Sequence, residues 1–276
     1  MRYEIDLIEV EVAAGVAFAR IDAPPMNLLG GPLLVSLDAL GRQVSEDDAV
    51  RVLVLRSADP DFFIAHGDVE TIVQAPEGGP ASVVHEQGFV HDCLDRLRTI
   101  PKVSIAQVEG FARGGGSEVA LACDMRFAAR GKAVFGQPEV PMGILPGAGG
   151  TVRLMRLLGR ARAAEIILGG DDFSADEAER YGWVNRALDP DEIGPYVERL
   201  ARRIAKFPAS AIAEVKRMLA AMEATLPEDL VGEINAFNRL MAGPHAHPRM
   251  RDFLARGLQS REGERKLGAS VETLAG

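Results

Sequence analysis

The sequence feature that most restricts the fold is a triple glycine between an apolar segment and a helix-forming one. Val103–Val108 has the composition of a buried strand, and Gly114, Gly115 and Gly116 follow it before Val119–Cys123 begins a helix-forming run. Because glycine has no Cβ, main-chain N–H groups in such a segment can approach a ligand closely. A helix N-terminus directly after the glycines adds positive potential. The pattern therefore predicts a site for negative charge, either a bound phosphate or an oxyanion that forms during a reaction.

Two common phosphate-binding motifs do not fit this segment. A dinucleotide-binding fingerprint needs a glycine at the position of Val119. A P-loop needs Gly-Lys-Ser/Thr, and the lysine is missing from this segment. A glycine turn that serves only packing remains an alternative interpretation of this motif taken alone.

The N-terminal half alternates segments of strand-like and helix-like pattern. Val16–Ile21, Val52–Leu55 and Met125–Ala129 are predicted strands, and Val52–Leu55 is a continuous apolar run, as expected of a strand covered on both faces. Apolar residues between 33 and 44 have helical spacing. Residues 3–12 alternate apolar and polar side chains with one phase slip, which indicates a half-buried strand with a bulge. The alternation predicts an α/β core with parallel strand pairing.

Beyond about residue 147 the strand signals nearly stop. Ser174–Glu177 forms a predicted capping box, and Gly182 is placed to end the helix that follows. Asp189 before Pro190 predicts the N-cap of another helix. Two apolar stripes with helical spacing follow, at residues 212–222 and 230–241. The C-terminal third is therefore predicted to be mostly helical.

Charge and composition exclude some classes of protein. The 276 residues include 31 basic and 40 acidic side chains, a formal net charge of −9, and 47% are hydrophobic. A chain of this size and composition can bury a large core without disulfides or a structural metal. The acidic balance argues against nucleic-acid binding, which needs a basic surface. The two cysteines lack metal-site spacing, and neither a signal segment nor a membrane-spanning run is evident, so a cytoplasmic protein is expected.

Two further segments carry residues that suit chemistry near an anion site. Phe62–Asp68 follows the predicted strand Val52–Leu55 by a short loop, which places it at the carboxyl end of that strand, where parallel sheets bind ligands. Phe135–Gly150 is rich in glycine and proline and contains Glu139, while Glu118 opens the helix after the triple glycine. Two carboxylates beside an anion-stabilising pocket can exchange protons with a substrate or hold a water molecule.

In their order and spacing these segments resemble the crotonase family, the enoyl-CoA hydratase/isomerase superfamily. The resemblance extends from Ala23 to about Ala187 and is strongest in Gly110–Asp124 and Phe135–Leu154. It implies acyl-CoA thioester substrates, with coenzyme A as part of the substrate and no further cofactor.

The same resemblance implies a fold and an assembly. The expected fold is α/β, with a crotonase-type ββα superhelix core over residues 1–200 and a C-terminal helical trimerisation region over residues 201–276. A homotrimer or a dimer of trimers is expected, with neither nucleic acid nor membrane as a partner.

Roles of single residues also come from the resemblance. Gly67 and Gly115 match the two residues whose main-chain N–H groups form the oxyanion hole of the family. Glu118 and Glu139 match the two glutamates of members that hydrate enoyl-CoA, whereas isomerases of the family often retain only the second. Glu118 is then expected to act as the base that activates a water molecule, and Glu139 to give a proton to the α-carbon. No metal is expected, and the remaining substrate-binding residues are expected to be Met26, Ala65, His66, Asp68 and Gly114.

Departures from the family pattern fall in three places. His66 stands where glycine is usual and Gly67 where alanine is common, so His66 is expected to fill space near the CoA arm or to restrict a backbone angle. The segment between Glu118 and Glu139 is one residue longer than usual. Residues 244–268 match only loosely, in a region that often contacts the acyl chain.

The other histidines are given less specific roles. His85 and His91 lie on a predicted helix spanning residues 82–99 and are expected at the surface or in a groove, with contact to the acyl chain as the alternative. His245 and His247 are expected in a solvated loop and not at a metal.

Hydration of an enoyl-CoA is the leading hypothesis, and isomerisation or another reaction of the family, such as lyase or hydrolase chemistry, is the nearest alternative. A glycosidase also uses two carboxylates, but one tryptophan and three tyrosines leave few residues for stacking on sugars. A non-catalytic acyl-CoA binder is disfavoured because both glutamates and both glycines are present. The net charge disfavours an RNA-associated member of the family.

Overall fold

The computed structural model describes residues 3–223, 225–271 and 273. The strands in this part of the chain are β1 (Ile8–Ala13), β2 (Val16–Ile21), β3 (Val52–Ser57), β4 (Phe62–Ile64), β5 (Val103–Val108), β6 (Phe111–Arg113), β7 (Met125–Ala129), β8 (Val134–Gly136), β9 (Asp172–Ser174) and β10 (Arg186–Leu188). The helices are α1 (Gly31–Glu46), α2 (Val69–Ile72), α3 (Phe89–Thr99), α4 (Gly115–Ala122), α5 (Gly150–Leu158), α6 (Arg160–Gly169), α7 (Ala175–Tyr181), α8 (Ile193–Ile204), α9 (Ala209–Met222), α10 (Leu226–Ala242), α11 (Ala246–Ala255), α12 (Arg261–Arg265) and α13 (Leu267–Val271).

The strands form two sheets that the chain visits in turn. A six-stranded sheet has the order β1-β2-β3-β5-β7-β10, parallel except for the β1–β2 hairpin. A four-stranded sheet has the order β4-β6-β8-β9, in which only β8 and β9 are antiparallel. Each of β3, β5 and β7 is followed directly by the next strand of the smaller sheet, and then by helix. This repeat confirms the predicted α/β class with ββα units.

The apolar composition of β3 follows from burial on both sides of the large sheet. Leu53 and Leu55 pack into the main core with α1, α3 and α4. Val52 and Val54 face the opposite side, which α8 covers through Ile193 and neighbouring side chains. Since alternate residues of a strand point to opposite faces, a strand between two packed layers needs an unbroken apolar run.

The N-terminal prediction needs a correction. Strand β1 begins only at Ile8, and the phase slip in the sequence is a turn instead of a bulge. Leu7 has a φ of 61°, and its carbonyl accepts a hydrogen bond from the Asp22 N–H at 2.8 Å. The side chains of Tyr3 and Ile5 pack against the core from irregular backbone.

Two predicted helix starts are also wrong. The helix predicted from residue 82 begins at Phe89, because the chain before it is held in irregular form by bonds between the Val84 backbone and the Asn235 side chain. The helix predicted to be capped by Asp189 begins at Ile193 instead, and the Asp189 carboxylate accepts a hydrogen bond from Arg130 at 2.7 Å. In both cases, hydrogen bonds to residues distant in the sequence accompany the later start of the helix.

The capping box and the terminal glycine predicted for α7 are confirmed. The Ser174 hydroxyl accepts from the Glu177 N–H, and the Glu177 carboxylate accepts from the Ser174 N–H at 2.8 Å. Gly182 ends the helix with a φ of 82°, in the left-handed region. The three-residue strands β9 and β10 on either side of α7 are additions to the predicted pattern.

The C-terminal region is helical, as predicted. Residue 200, the expected boundary of the core, lies inside α8, which packs on the large sheet. Helix α9 buries Ile212 but leaves most of its predicted apolar stripe exposed: Val215, Met218, Leu219 and Met222. Helices α11 and α13 form an apolar cluster, separate from the main core, with Val69, Met142 and Ile144. Within the described ranges, every helix is too short or too polar to cross a bilayer.

Candidate active site

A cavity of about 240 Å³ lies between the carboxyl ends of the smaller sheet and helix α10. Five of its lining residues are ones that the sequence analysis selected: His66, Gly67, Gly115, Glu118 and Glu139. The rest of the wall is largely apolar and includes Leu29, Leu34, Val69, Ile72, Val90, Met142, Ile144, Leu145, Ile234 and Phe237.

Gly67 and Gly115 meet because their strands are parallel neighbours. Gly67 follows β4 and Gly115 follows β6. Because these two strands pair in parallel, their carboxyl ends, and with them the two glycines, lie at the same edge of the smaller sheet. A Cβ added to Gly115 would lie 3.1 Å from the Gly67 nitrogen. Neither N–H donates a hydrogen bond to an acceptor within the described ranges. Two unpaired main-chain donors therefore lie side by side on the wall of the cavity.

The neighbouring glycines are required by close packing. Gly114 has a φ of 45°, and a Cβ on it would lie 2.5 Å from Oε1 of Glu139. A Cβ on Gly116 would overlap the carbonyl oxygen of Ile64 on β4. Packing thus explains Gly114 and Gly116, while Gly115 presents its N–H to the cavity.

Glu118 lies in the first turn of α4, with its side chain 3% exposed. Its Oε1 accepts hydrogen bonds from the N–H groups of Ala148 at 2.8 Å and Gly150 at 2.7 Å. Burial raises the pKa of Glu118 to about 7, although these two bonds and the Arg153 guanidinium favour the ionised form. At neutral pH this carboxylate is therefore poised to exchange a proton.

Glu139 reaches the same cavity from the loop after β8. With the Gln137 amide oriented so that its nitrogen faces the carboxyl group, that nitrogen lies 3.0 Å from Oε2 of Glu139. Burial raises the pKa of Glu139 well above its usual value, and the charge of Glu118 raises it further. Glu139 thus holds its proton under conditions in which Glu118 releases one.

A third carboxylate, Glu233 on α10, supports this arrangement, and the sequence analysis missed it. It accepts hydrogen bonds from the N–H groups of Gly149 at 2.6 Å and Val152 at 3.1 Å. Burial and the charge of Glu118 raise the pKa of Glu233 to about 8. Its position between Leu230 and Phe237, on the apolar stripe of a predicted helix, was the available signal in the sequence.

His91 is fully buried, so its expected place at the surface or in a groove is wrong. Its Nε2 lies 4.0 Å from Oε2 of Glu233, behind the wall of the cavity. Burial lowers the pKa of His91 to about 4, so the ring is neutral at physiological pH. His85 is exposed, as expected.

The other expected substrate contacts lie beside the cavity and not on its wall. Met26 and Ala65 pack with Phe62 in a small apolar cluster. Asp68 caps α2 by accepting from the N–H and hydroxyl of Thr71. Gly114 is adjacent to the cavity through its contact with Glu139.

No cluster of His, Cys, Asp or Glu side chains suited to a metal ion occurs in the part of the chain that the structure describes. His247 is buried in α11, not in a solvated loop as expected, and its Nε2 lies 3.0 Å from the Ala75 carbonyl oxygen.

Comparison with known proteins finds relatives in one family. The model of the enoyl-CoA hydratase/isomerase family matches residues 11–259. A crotonyl-CoA hydratase of Syntrophomonas wolfei is 38% identical over 206 residues, which cover 74% of this chain and 76% of that protein. A short-chain-enoyl-CoA hydratase of Clostridium acetobutylicum is 31% identical over 91% of this chain and 95% of its own length. A crystal structure from Streptomyces avermitilis, whose protein has a provisional assignment as an enoyl-CoA hydratase, superposes with a TM-score of 0.91 and 37% identity over the full length of both chains.

The fold, the paired glycines at adjacent strand ends and these relatives lead to one assignment: the chain is an enzyme of the enoyl-CoA hydratase/isomerase family.

Proposed function

We propose that this enzyme adds water across the double bond of a trans-2-enoyl-CoA thioester. One observation supports the proposal above the others: two carboxyl groups with raised pKa values and two unpaired main-chain N–H groups border the same cavity. The names of relatives as crotonyl-CoA and short-chain-enoyl-CoA hydratases agree with it.

In the proposed reaction the thioester oxygen accepts hydrogen bonds from the Gly67 and Gly115 N–H groups. Attack at the β-carbon moves the electrons of the double bond toward this oxygen and gives an enolate. Donors fixed in advance stabilise such an oxyanion, and losing one typically costs about 3–4 kcal/mol. The substrate's own carbonyl thus serves as the electron sink.

The two glutamates then divide the proton transfers. Ionised Glu118 removes a proton from the attacking water, whose oxygen bonds to the β-carbon. Protonated Glu139 gives its proton to the α-carbon as the enolate collapses. The opposite protonation states that their environments favour suit these roles of general base and general acid.

The apolar wall of the cavity suits a short acyl chain, and coenzyme A enters only as part of the substrate. Cytoplasmic location stays a prediction from the sequence.

A panel of three thioesters tests the proposal against the other reactions of the family. Crotonyl-CoA, its 3-enoyl isomer and saturated butyryl-CoA are incubated with the enzyme, and the absorbance of the conjugated double bond and the products are followed. We expect crotonyl-CoA to lose this absorbance and give 3-hydroxybutyryl-CoA. Rapid formation of conjugated product from the 3-enoyl isomer, without hydration of crotonyl-CoA, would establish isomerisation instead. Release of free CoA from butyryl-CoA would point to hydrolysis.

A further inference from the structure

The histidine beside the oxyanion hole has an ionic partner near the other end of the chain. Nε2 of His66 lies 2.8 Å from Oε1 of Glu264, across 198 positions of sequence. The two side chains are 3% and 0% exposed, respectively. The contact therefore joins the loop after β4 to helix α12.

Both nitrogens of the His66 ring have hydrogen-bonding partners. Nδ1 lies 2.6 Å from the Gly67 carbonyl oxygen, which can only accept a hydrogen bond. Oε1 of Glu264 already accepts from the Gln259 N–H at 2.8 Å, so it acts as an acceptor toward Nε2 as well. Both ring nitrogens of His66 therefore face hydrogen-bond acceptors.

The ring restrains Gly67 from its carbonyl side. The His66 carbonyl accepts from the Leu29 N–H at 2.8 Å, and the Asp68 N–H donates to the Leu29 carbonyl at 3.2 Å. A trans peptide directs its C=O and N–H in opposite directions, so the bond between the His66 carbonyl and Leu29 turns the Gly67 N–H away from Leu29. With Nδ1 of His66 on the Gly67 carbonyl, both peptide planes of this glycine have fixed partners. This matters because glycine has the greatest backbone freedom of any residue.

The Glu264 side of the contact is fixed to the core. Arg113 on β6 donates to the Glu264 carbonyl at 2.7 Å and forms two bonds of 2.6 Å to Asp172. Gln259 adds a second connection by donating to the Asp68 carboxylate at 3.1 Å. The segment Gly257–Leu267 is therefore positioned on the oxyanion-hole loop by interactions that do not involve the cavity itself.

We propose that the His66–Glu264 pair positions the Gly67 N–H toward the thioester oxygen, so that the segment Gly257–Leu267 completes the oxyanion hole. This inference rests on the proposed function only in assigning Gly67 to the thioester carbonyl. Both members are positioning residues, since they act on the substrate through the Gly67 peptide. Their contribution is a bond to the Gly67 carbonyl, which restrains the peptide on the other side of the residue that carries the donor.

The test measures polarisation of a bound carbonyl in a ligand that cannot react. Butyryl-CoA labelled with ¹³C at the thioester carbonyl is bound to the wild type and to the His66→Ala, Glu264→Ala and doubly substituted variants. The infrared carbonyl stretch is then compared with that of the free ligand. Glu262→Gln is the matched control, because Glu262 lies on the same helix but pairs with Lys266 at the surface. In parallel, kcat and KM are measured with crotonyl-CoA.

We expect the carbonyl stretch of the wild type to move to lower frequency on binding, and each single variant to lose at least about half of that shift. We expect kcat to fall about tenfold with KM nearly unchanged, because a displaced donor weakens mainly the transition state. The double variant should lose no more of the carbonyl shift and of kcat than either single variant, since the pair acts as a unit. The control should behave as the wild type.

The outcomes separate this proposal from the proposed function. A wild-type carbonyl shift in folded Glu264→Ala and His66→Ala proteins would overturn the pair's role even if hydration is observed. A wild type that polarises the carbonyl but does not hydrate crotonyl-CoA would overturn the proposed function, while a loss of polarisation in the variants would still support the pair. A wild type without any shift would overturn both.

Leaving one buried charge without its partner is strongly destabilising, so thermal unfolding is measured throughout. If Glu264→Ala fails to fold, the double variant, which removes both charges, provides the comparison.

Discussion

At the scale of single residues, the protonation states of three neighbouring carboxylates organise the site. Glu118 and Glu233 are buried and Glu139 is partly buried, and burial is the largest cause of the raised pKa of each. Glu118 accepts two N–H bonds on one oxygen, which favour its ionised form, whereas the charge of Glu118 disfavours ionisation of Glu139. Environments that separate the pKa values of two carboxyls assign one as base and the other as acid.

The pH dependence of kcat/KM tests this division. We expect kcat/KM to rise through the pKa of Glu118 near 7 and to fall at higher pH, where Glu139 loses its proton. Glu233→Gln should move the alkaline limb to lower pH, because ionised Glu233 disfavours ionisation of Glu139. The profile is measured between pH 5 and 10. Glu228→Gln, an exposed position on α10, is the control, and an alkaline limb that stays in place in Glu233→Gln would contradict the coupling.

Gly114 offers a second test at this scale. Gly114→Ala would place a Cβ 2.5 Å from Oε1 of Glu139, on a backbone with a φ of 45°. Gly131→Ala is a matched control, since it has a φ of 70° but open space around the new methyl group. Both variants should lose about 1–3 kcal/mol of stability from backbone strain. Only Gly114→Ala should also lose hydration activity, by about tenfold or more, because Glu139 must move. Equal activity of the two variants would show that the Glu139 position is not critical.

At the scale of elements, the N-terminus of α5 depends on the site. The first N–H groups of a helix lack partners within it. The Gly150 N–H donates to Glu118 and the Val152 N–H to Glu233, while Ala148 and Gly149 in the preceding loop donate to the same two carboxylates. Glu118, the proposed catalytic base, therefore also caps the N-terminus of α5, and these hydrogen bonds fix the orientation of the Glu118 side chain.

This arrangement makes the stability of the fold depend on pH in a definite direction. Glu118 and Glu233 have pKa values of about 7 and 8 in the folded chain, above the usual 4.5, so the folded state keeps protons that the unfolded chain has released. The free energy of unfolding must therefore fall as pH rises toward 8. His91 acts in the opposite direction, but only below its usual pKa of 6.5. The effect is therefore clearest between pH 6.5 and 8.5.

Thermal unfolding measures this effect. We expect the Tm to drop by a few degrees between pH 6.5 and 8.5, and the drop to be smaller in Glu233→Gln than in Glu228→Gln. A Tm that rises over this range, or equal pH dependence in the two variants, would contradict the raised pKa values of Glu118 and Glu233 in the folded chain.

At the scale of the whole molecule, features that depend on neighbouring residues could be predicted from the sequence, whereas features that depend on long-range contacts could not. The buried strand β3 and the capping box of α7 have signals within a few residues, and the structure has these elements where they were predicted. The presence of Gly67, Gly115, Glu118 and Glu139 on one cavity wall agrees with the residues selected from the sequence, while their roles stay predictions.

The features missed from the sequence depend on distant partners. Glu233 comes within 4.0 Å of His91 because α10 packs against α5 and the loop before it, and Glu264 reaches His66 across 198 positions. No periodic pattern in either segment contains this information. The strands β9 and β10 have three residues each, too few for an alternation to be recognised.

We propose that the whole molecule assembles into the homotrimer or dimer of trimers expected from the family resemblance. The exposed stripe of α9 supports it, because contiguous apolar side chains on a surface mark an interaction site. Light scattering should give a mass about three or six times 29.6 kDa. Leu219→Glu should lower the mass, whereas Val35→Glu, an equally exposed position on α1, should not. A monomeric wild type would contradict the proposal.

The most direct test of the central claim is the rate of crotonyl-CoA hydration by Glu118→Gln, followed as loss of the conjugated double bond. Glutamine keeps an oxygen that can accept from Ala148 and Gly150 but cannot take a proton from water. We expect kcat to fall by about 10²–10⁴-fold with KM within about threefold of the wild type. Turnover at the wild-type rate would contradict the assignment of Glu118 as the base.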